Sequence, residues 1–279
     1  MSGRALAAGY FRGGLPYNRL GCGPRVAVVV QGLLFENKPQ ATPTVRMYRF
    51  LDTRYTTYVV LRRPGMPQGY TLRDMAADYA AMIREEFSGP VDVIGVSTGG
   101  SIAQHLAADH PDVVRRLVIH SSACVLSRDA RRLQLKVRDL ALQRRWVKAW
   151  GLLVDAVVPR RGVIGRIRTP VVWLAAGLLG LFDAPKDPSD LAVTILAEDR
   201  HDFRDRLGEI AATTLVVAGA DDPFYSVTLF RETAAGIPDA RLILYPGMGH
   251  PASGRQFRRD ILAFLGEGEQ AGREDGRRA

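Results

Sequence analysis

The chain has 279 residues, of which 47% are hydrophobic and 24% are charged, and its formal net charge at pH 7 is +9. This length is enough for one large globular domain or a domain with an insertion, and no apolar run approaches the roughly 20 residues that cross a bilayer, which argues against an integral membrane protein. The N-terminus lacks the apolar stretch of a secretory signal, and two cysteines are too few for a disulfide framework, so we expect a cytoplasmic protein.

The first predicted element is an antiparallel hairpin over residues 10–23, at the edge of a sheet. Six short apolar runs follow it, and each has the length of a buried strand. Because both faces of these runs are apolar, whereas a strand exposed on one face alternates, they predict a parallel sheet covered on both sides. The six runs are residues 26–30, 58–61, 91–96, 116–120, 214–219 and 241–245.

Helical patterns separate most of these runs. Apolar residues recur at helical spacing in residues 71–87, 101–110 and 254–265. Alternating strands and helices predict an α/β fold with a mostly parallel, doubly wound sheet.

One interval breaks the alternation. Residues 125–212 separate two predicted strands by far more than the roughly 2–6 residues of an ordinary connection. The apolar run 171–182 is too short to span a membrane, and other apolar residues approximate a helical stripe, so we predict an inserted helical cap. The core domain then comprises residues 1–124 and 213–266, and the charged segment 267–279 is predicted to be a disordered tail. The stripe consists of Leu133, Val137, Leu140, Val147, Trp150, Val154 and Val157.

The basic charge is concentrated in the predicted cap. Between Val125 and Pro170, twelve arginines and lysines stand against three aspartates, a net charge of +9, and the rest of the chain is neutral. Such a segment is typical of a solvated helix face, and it also suits contact with an anionic lipid surface or an acidic carrier. We expect no nucleic-acid partner.

The stretch DVIGVSTGG places Ser97 between a predicted strand and a predicted helix. Gly95 and Gly99 flank it in the spacing Gly-x-Ser-x-Gly, which is typical of a sharp turn that presents a nucleophilic serine. The same turn puts the amide of Thr98 at a helix N-terminus, where it favours a developing negative charge. A small residue required only by a tight turn is the structural alternative.

Two further motifs follow the last two predicted strands, in the order expected of an acid and a base. The first, AGADDPFYS, contains Asp221 and Asp222, and the second, YPGMGHPAS, contains His250. The carboxyl ends of parallel strands gather at one edge of a sheet, so these side chains are expected near Ser97.

With these three motifs the chain resembles the α/β-hydrolase fold superfamily, in its esterase and haloperoxidase-like branch with a helical cap. The resemblance extends from about Leu15 to Leu265. It implies Ser97 as nucleophile, His250 as general base and Asp222 as the acid that orients the imidazole. Asp222 is preferred to Asp221 because such proteins usually place the acid three residues after the glycine that ends the strand.

The resemblance also implies the second half of an oxyanion hole in the stretch QGLLF. The amide of Leu33 is expected to act there beside that of Thr98. The chain departs from the family at Gln31, where His is usual, and in the stretch VVLRRPGMPQGYT, which replaces an Asp-containing segment.

The remaining histidines do not lie in a motif like the one that contains His250. His120, at a strand end, is the one placed to compete with His250, and we expect it to be a hydrogen-bonded structural residue. No cluster has metal-ligand spacing and no nucleotide-binding loop occurs, so no metal and no cofactor is expected.

These motifs predict a serine hydrolase that cleaves a carboxylic ester of an apolar small molecule through an acyl-enzyme. Trp146, Trp150 and Trp173 of the predicted cap are candidate substrate contacts. A thioesterase, a biosynthetic cyclase or lyase, and a ligand-binding protein without activity are the alternatives, since the fold hosts them all.

Overall fold

A computed structural model describes residues 7–40, 42–158, 168–182 and 184–267. All but the first residue of the predicted tail lie outside these ranges. The described chain forms an eight-stranded sheet in the order β1-β2-β4-β3-β5-β6-β7-β8. The strands are β1 (Ala7–Tyr10), β2 (Pro16–Leu20), β3 (Arg25–Val30), β4 (Tyr55–Val60), β5 (Val91–Val96), β6 (Val114–His120), β7 (Thr213–Gly219) and β8 (Ala240–Tyr245).

The sheet is mostly parallel, as the apolar runs predict. The pairs β3–β4, β3–β5, β5–β6, β6–β7 and β7–β8 are parallel. An antiparallel hairpin is present at the edge, because β1 pairs with β2 and β2 with β4 in antiparallel fashion, but it spans residues 7–20 and so lies three residues earlier than the predicted range 10–23. The carboxyl ends of the parallel strands therefore meet at one edge.

Helices cover both faces of the sheet. The helices are α1 (Pro43–Met47), α2 (Leu72–Glu86), α3 (Thr98–Asp109), α4 (Arg128–Leu142), α5 (Trp146–Val157), α6 (Arg168–Phe182), α7 (Ser189–Asp199), α8 (Val227–Gly236) and α9 (Arg255–Gly266).

Successive residues of strand β3 pack into two different hydrophobic core clusters, one on each face of the sheet. Val28 and Val30 of β3 join the core cluster that contains residues of α2 and α3, while Ala27 and Val29 join the cluster that contains residues of α9. Because both sides of the strand are buried, the continuous apolar runs of the sequence are explained.

The start of α2 illustrates how local sequence sets a helix boundary. The Thr71 hydroxyl accepts a hydrogen bond from the Asp74 amide, and the Asp74 carboxylate accepts one from the Thr71 amide. This reciprocal capping satisfies two donors that the first helical turn leaves free.

Helices α4 to α7 lie between β6 and β7, inside the interval predicted to form a cap, and we use the name cap for these helices. The two ends of the interval meet, since Val125 forms an antiparallel bridge with Asp202 and the Phe203 amide donates to the Cys124 carbonyl at 2.8 Å. The predicted apolar stripe is divided between two helices. Arg144, whose φ of 57° is not helical, lies in the turn between α4 and α5.

Within the described ranges, no helix combines the length and the apolar character that a bilayer crossing requires.

Candidate active site

Ser97 lies in a sharp turn between β5 and α3. Its φ of 53° and ψ of −127° place a non-glycine residue in a strained conformation, which lifts the side chain clear of the sheet. Gly99 is required for this turn, because a Cβ atom there would lie 2.1 Å from the carbonyl oxygen of Val30. The glycines around Ser97 thus permit close packing of the turn on β3.

The structure brings Ser97, His250 and Asp222 together. His250 Nδ1 lies 2.8 Å from Asp222 Oδ2, and His250 Nε2 lies 3.0 Å from Ser97 Oγ. Since a carboxylate only accepts, Nδ1 carries the proton and donates to Asp222, and Nε2 is left to accept from the Ser97 hydroxyl. The geometry is that of a nucleophile, a base and an orienting acid.

Asp222 is held rigidly by its own loop. Its Oδ1 atom accepts hydrogen bonds from the amides of Phe224 at 2.8 Å and Tyr225 at 3.2 Å, and its side chain is fully buried. The Phe224 ring packs on the His250 ring with 4.6 Å between centroids. Asp221, the neighbouring aspartate, is exposed.

The loop after β3 lies directly against the serine. A Cβ atom on Gly32 would be 3.3 Å from Ser97 Cβ. The amides of Leu33 and Thr98 donate no hydrogen bond to any other residue of the described chain. Two free backbone donors therefore flank the Ser97 turn, as an oxyanion hole requires.

The buried Arg62 side chain donates hydrogen bonds to the backbone of this loop. Its Nη1 donates to the carbonyl of Gln31 at 3.0 Å and to that of Gly32 at 3.1 Å. Because C=O and N–H point in opposite directions across a trans peptide, the bond to the Gly32 carbonyl turns the Leu33 amide away from Arg62. Burial lowers the pKa of the guanidinium from its ordinary value.

The Gln31 side chain is buried and hydrogen-bonded to two threonines. Its Nε2 donates to the Thr44 hydroxyl at 3.0 Å, and its Oε1 accepts from the Thr42 hydroxyl at 3.3 Å. The Thr42 hydroxyl in turn caps α1 by accepting from the Val45 amide. Gln31 thus fastens the loop after β3 to the start of α1.

A buried carboxylate, Glu198, lies behind the Ser97 turn. It belongs to the last turn of α7 and is fully buried, which raises its pKa above the ordinary value. Each of its two oxygens accepts two hydrogen bonds from neutral side chains. The donors are Thr98 Oγ1 at 2.6 Å, Gln134 Nε2 at 3.1 Å, Ser101 Oγ at 3.2 Å and the Tyr225 hydroxyl at 3.3 Å.

His120 is a structural residue, as expected. Its Nε2 donates to the Ala252 carbonyl at 2.8 Å, so its Nδ1 accepts from the Tyr48 hydroxyl at 2.7 Å. Burial lowers the pKa of His120 to about 3, which keeps the ring neutral. Both ring nitrogens are thus engaged away from Ser97.

The three cap tryptophans occupy different environments. Trp146 is buried and Trp150 is half-buried, and both pack on Phe35, with 4.1 Å between the centroids of the Phe35 and Trp150 rings. Leu33 packs against the same cluster. Trp173 is 53% exposed and its ring lies near Gly151 of α5, and among the described residues it forms no ring contact with Phe35, Trp146 or Trp150.

Sequence reasoning did not assign roles to Arg62 and Glu198. Arg62 falls in the unusual stretch after β4, where a cation directly following a buried strand is a signal that could have pointed to it. Glu198 carries no such signal, because a glutamate in an amphipathic helix ordinarily faces solvent.

The chain is similar to several known proteins. The model of the Alpha/beta hydrolase family matches residues 27–260. A Yersinia enterocolitica protein named "Putative carbamate hydrolase RutD" is 27% identical over 242 residues, 82% of this chain and 81% of that protein. The pimeloyl-(acyl-carrier protein) methyl ester esterase of Nitrosomonas europaea is 25% identical over 202 residues, 68% of this chain and 77% of the esterase.

Solved structures show the same fold. The crystal structure of a hydrolase from Pseudomonas aeruginosa superimposes with a TM-score of 0.74 at 21% identity, covering 94% of this chain and 98% of its own. The doubly wound sheet, the helices inserted between β6 and β7 and the family match all indicate the same fold. The chain therefore belongs to the alpha/beta hydrolase family and is a hydrolase built on that fold.

Proposed function

We propose that the protein is a serine hydrolase that cleaves carboxylic esters of apolar small molecules through an acyl-enzyme. The observation that carries this proposal is the position of the His250 ring, with Nε2 at 3.0 Å from Ser97 Oγ and Nδ1 at 2.8 Å from Asp222 Oδ2. A serine hydroxyl is a weak nucleophile unless such a base removes its proton.

In the first half-reaction, Ser97 Oγ attacks the ester carbonyl while His250 Nε2 takes the hydroxyl proton. The tetrahedral intermediate collapses, the C–O bond to the leaving group breaks, and His250 donates the proton to the departing alcohol. In the second half, water loses a proton to His250 and attacks the acyl-enzyme. The acid departs and Ser97 regains its proton.

The amides of Leu33 and Thr98 stabilise the oxyanion in both tetrahedral intermediates. They have no competing acceptor in the described chain, and Arg62 holds the Gly32–Leu33 peptide in a fixed orientation. A preorganised donor pair of this kind contributes without reorganisation at the moment of reaction.

An apolar substrate fits the surroundings of this loop. Leu33 packs with Phe35 and with Trp146 and Trp150, so the proposed oxyanion loop adjoins an aromatic cluster of the cap. Burial of each additional CH₂ group against such walls stabilises the bound state by up to ~0.8 kcal/mol. The esterase from Nitrosomonas europaea, by its name, also acts on a methyl ester.

The test combines covalent labelling with a substrate series. A fluorophosphonate probe should label the wild type at Ser97, and Ser97→Ala should abolish the label and lower ester turnover at least ~10³-fold with little change in melting temperature. Ser253→Ala, which removes an exposed serine in the loop that follows His250, is the matched control and should label normally.

p-Nitrophenyl esters of two to ten carbons should then show kcat/KM rising with chain length. Acyl thioesters and aryl carbamates of matched length are assayed beside them. Labelling that persists in Ser97→Ala contradicts the proposed nucleophile. Faster turnover of thioesters or carbamates than of esters contradicts the proposed substrate class while leaving the nucleophile in place.

A further inference from the structure

The outer face of helix α6 is apolar. Val171, Leu174 and Leu178, which we call the α6 patch, are 37%, 66% and 50% exposed. Residues 171, 174 and 178 have the spacing that puts side chains on one face of a helix. A surface helix of a globular protein normally turns polar residues to solvent, so the apolar outer face of α6 departs from this pattern.

The opposite face of α6 packs against the protein. Val172 and Ala176 are buried, and Gly151 of α5 lies where a Cβ atom would be 3.7 Å from the Ala176 methyl group and from the Trp173 ring. The buried face is thus already occupied by α5. The α6 patch is a separate surface that faces outward.

Unpaired cations lie next to this patch. A groove of about 400 Å³ is lined by Trp173 and also by Lys136, Arg145 and Lys148, which we call the basic groove. Lys136 and Lys148 form no ion pair with any residue of the described ranges, and Arg145 donates only a long hydrogen bond of 3.4 Å to Gln143. Among the residues lining the groove, Asp155 is the one carboxylate.

We propose that the α6 patch and the basic groove together dock the cap on an anionic phospholipid surface. Tryptophan and leucine side chains enter the region between headgroups and acyl chains, and neighbouring cations attract the negative headgroups. Trp173 lines the groove, is 53% exposed and precedes Leu174 of the α6 patch in the same helix, so the two parts of the surface adjoin at Trp173. This proposal concerns a surface outside the Ser97 site and does not depend on the proposed esterase activity.

A second copy of the chain is a poorer occupant of the same face. In a two-fold symmetric dimer, one patch meets an identical patch. The basic groove of each copy adjoins the patch, so the interface would bring the like charges of Lys136, Arg145 and Lys148 from both copies into one region. An anionic lipid surface complements both the apolar residues and the charge.

Vesicle sedimentation tests the proposal on the full chain. Protein is mixed with vesicles of pure phosphatidylcholine, or of phosphatidylcholine with phosphatidylglycerol, at low and high salt. We expect sedimentation with the anionic vesicles at low salt, and a loss of binding at high salt because exposed charges are screened. Equal binding to both vesicle types, or binding to neither, overturns the proposal.

Two variants separate the components of the surface. Leu174→Gln/Leu178→Gln removes apolar area, and Lys136→Gln/Lys148→Gln removes two charges, so both should weaken vesicle binding while the melting temperature stays close to that of the wild type. An attraction of about 1 kcal/mol per basic residue corresponds to about a fivefold loss of affinity for each cation removed.

The matched control for charge is Arg258→Gln/Arg259→Gln, which removes two exposed cations from α9, outside the cap. It should bind as the wild type does. If it weakens binding as much as Lys136→Gln/Lys148→Gln, net charge rather than this face attracts the vesicles, and the proposal fails. It also fails if sedimentation equilibrium finds a dimer that Leu174→Gln/Leu178→Gln dissociates.

Fluorescence identifies the docking residue directly. Transfer of Trp173 from water to the lipid interface should shift its emission to shorter wavelength when anionic vesicles are added. Trp173→Phe keeps an apolar ring, so it should still sediment with the vesicles but lose the emission shift. A shift of equal size in Trp173→Phe contradicts docking through α6.

Discussion

The Thr98 hydroxyl donates a 2.6 Å hydrogen bond to the carboxylate of Glu198, which lies 100 residues later in the chain. Thr98 follows the candidate nucleophile, and Glu198 lies in the last turn of α7, the last helix between β6 and β7. Through Tyr225, the same carboxylate also contacts the loop that holds Asp222. One buried side chain therefore connects the cap, the Ser97 turn and the acid loop.

Removal of this carboxylate should be costly. Glu198→Ala leaves four buried donors without their acceptor, and each such group costs about 1–3 kcal/mol, so we expect several kcal/mol of lost stability in urea unfolding. Glu198→Gln retains one acceptor oxygen and should lose less. Labelling of Ser97 by the fluorophosphonate should also slow in both variants.

An exposed ion pair provides the comparison. Glu232 contacts Arg204 at 2.6 Å on the surface, so Glu232→Gln should change the unfolding free energy by at most ~1 kcal/mol. If Glu198→Ala is no more destabilising than Glu232→Gln, the buried network does not join the cap to the core.

The two adjacent aspartates should respond differently to substitution. Asp222 contacts His250 at 2.8 Å, whereas Asp221 is exposed. Asp222→Asn puts an amide in contact with the imidazole, favours the wrong tautomer and should lower kcat by up to ~10⁴-fold. Asp221→Asn should have a small effect. A ranking in the opposite order, measured with the same ester, contradicts the assignment of the acid.

The loop after β3 offers a second pair of matched variants. Gln31→Ala breaks side-chain hydrogen bonds to Thr42 and Thr44, so it should reduce stability by ~1–3 kcal/mol and lower kcat by less than the ~10²–10³ associated with one lost oxyanion donor.

Arg62→Met should lower kcat more than Gln31→Ala does. It releases the carbonyls of Gln31 and Gly32, so the Leu33 amide loses its fixed direction and kcat should fall by about 10². The two carbonyls lose their donor, so Arg62→Met should also reduce stability by ~1–3 kcal/mol. A greater loss of kcat in Gln31→Ala than in Arg62→Met would show that the Gln31 side chain takes part in the reaction.

Buried histidines should make the fold sensitive to acid. Burial lowers the pKa of His201 and of His120 to about 3, and that of His105 to about 4. Between these values and the ordinary pKa near 6.5, the unfolded chain binds more protons than the folded one. The unfolding free energy should therefore fall as pH is lowered below ~6.5, by up to ~1.4 kcal/mol per pH unit for each histidine.

His201 is the residue with which to test this effect. Neither of its ring nitrogens has a hydrogen-bond partner in the described chain, and its ring stacks on Phe203 and faces His105. His201→Phe should reduce the slope of stability against pH by an amount that grows to nearly one proton at pH 5, as measured by urea unfolding at several pH values between 7 and 5. An unchanged slope indicates that His201 is accessible to protons in the folded state.

Local sequence patterns were sufficient to predict much of the fold. Apolar runs of strand length predicted the parallel strands, and the spacing around Ser97 predicted a turn between β5 and α3. Both signals could be read from the sequence because the spacing of apolar residues and the residue types of a turn depend on neighbouring positions. The pairing of Ser97 with His250, 153 positions apart, followed from where parallel strands end. The identity of the acid needed the family resemblance as well.

Tertiary packing decided the rest. Arg62 and Glu198 are charged residues, and only the arrangement of β4, the loop after β3 and the cap shows that they are buried and hydrogen-bonded. Helix α6 is apolar on its inner and outer faces, so its sequence has no period that distinguishes Val172, which is covered, from Leu174, which is exposed. Local sequence specifies which conformation a segment adopts, whereas the face it buries depends on contacts with distant segments.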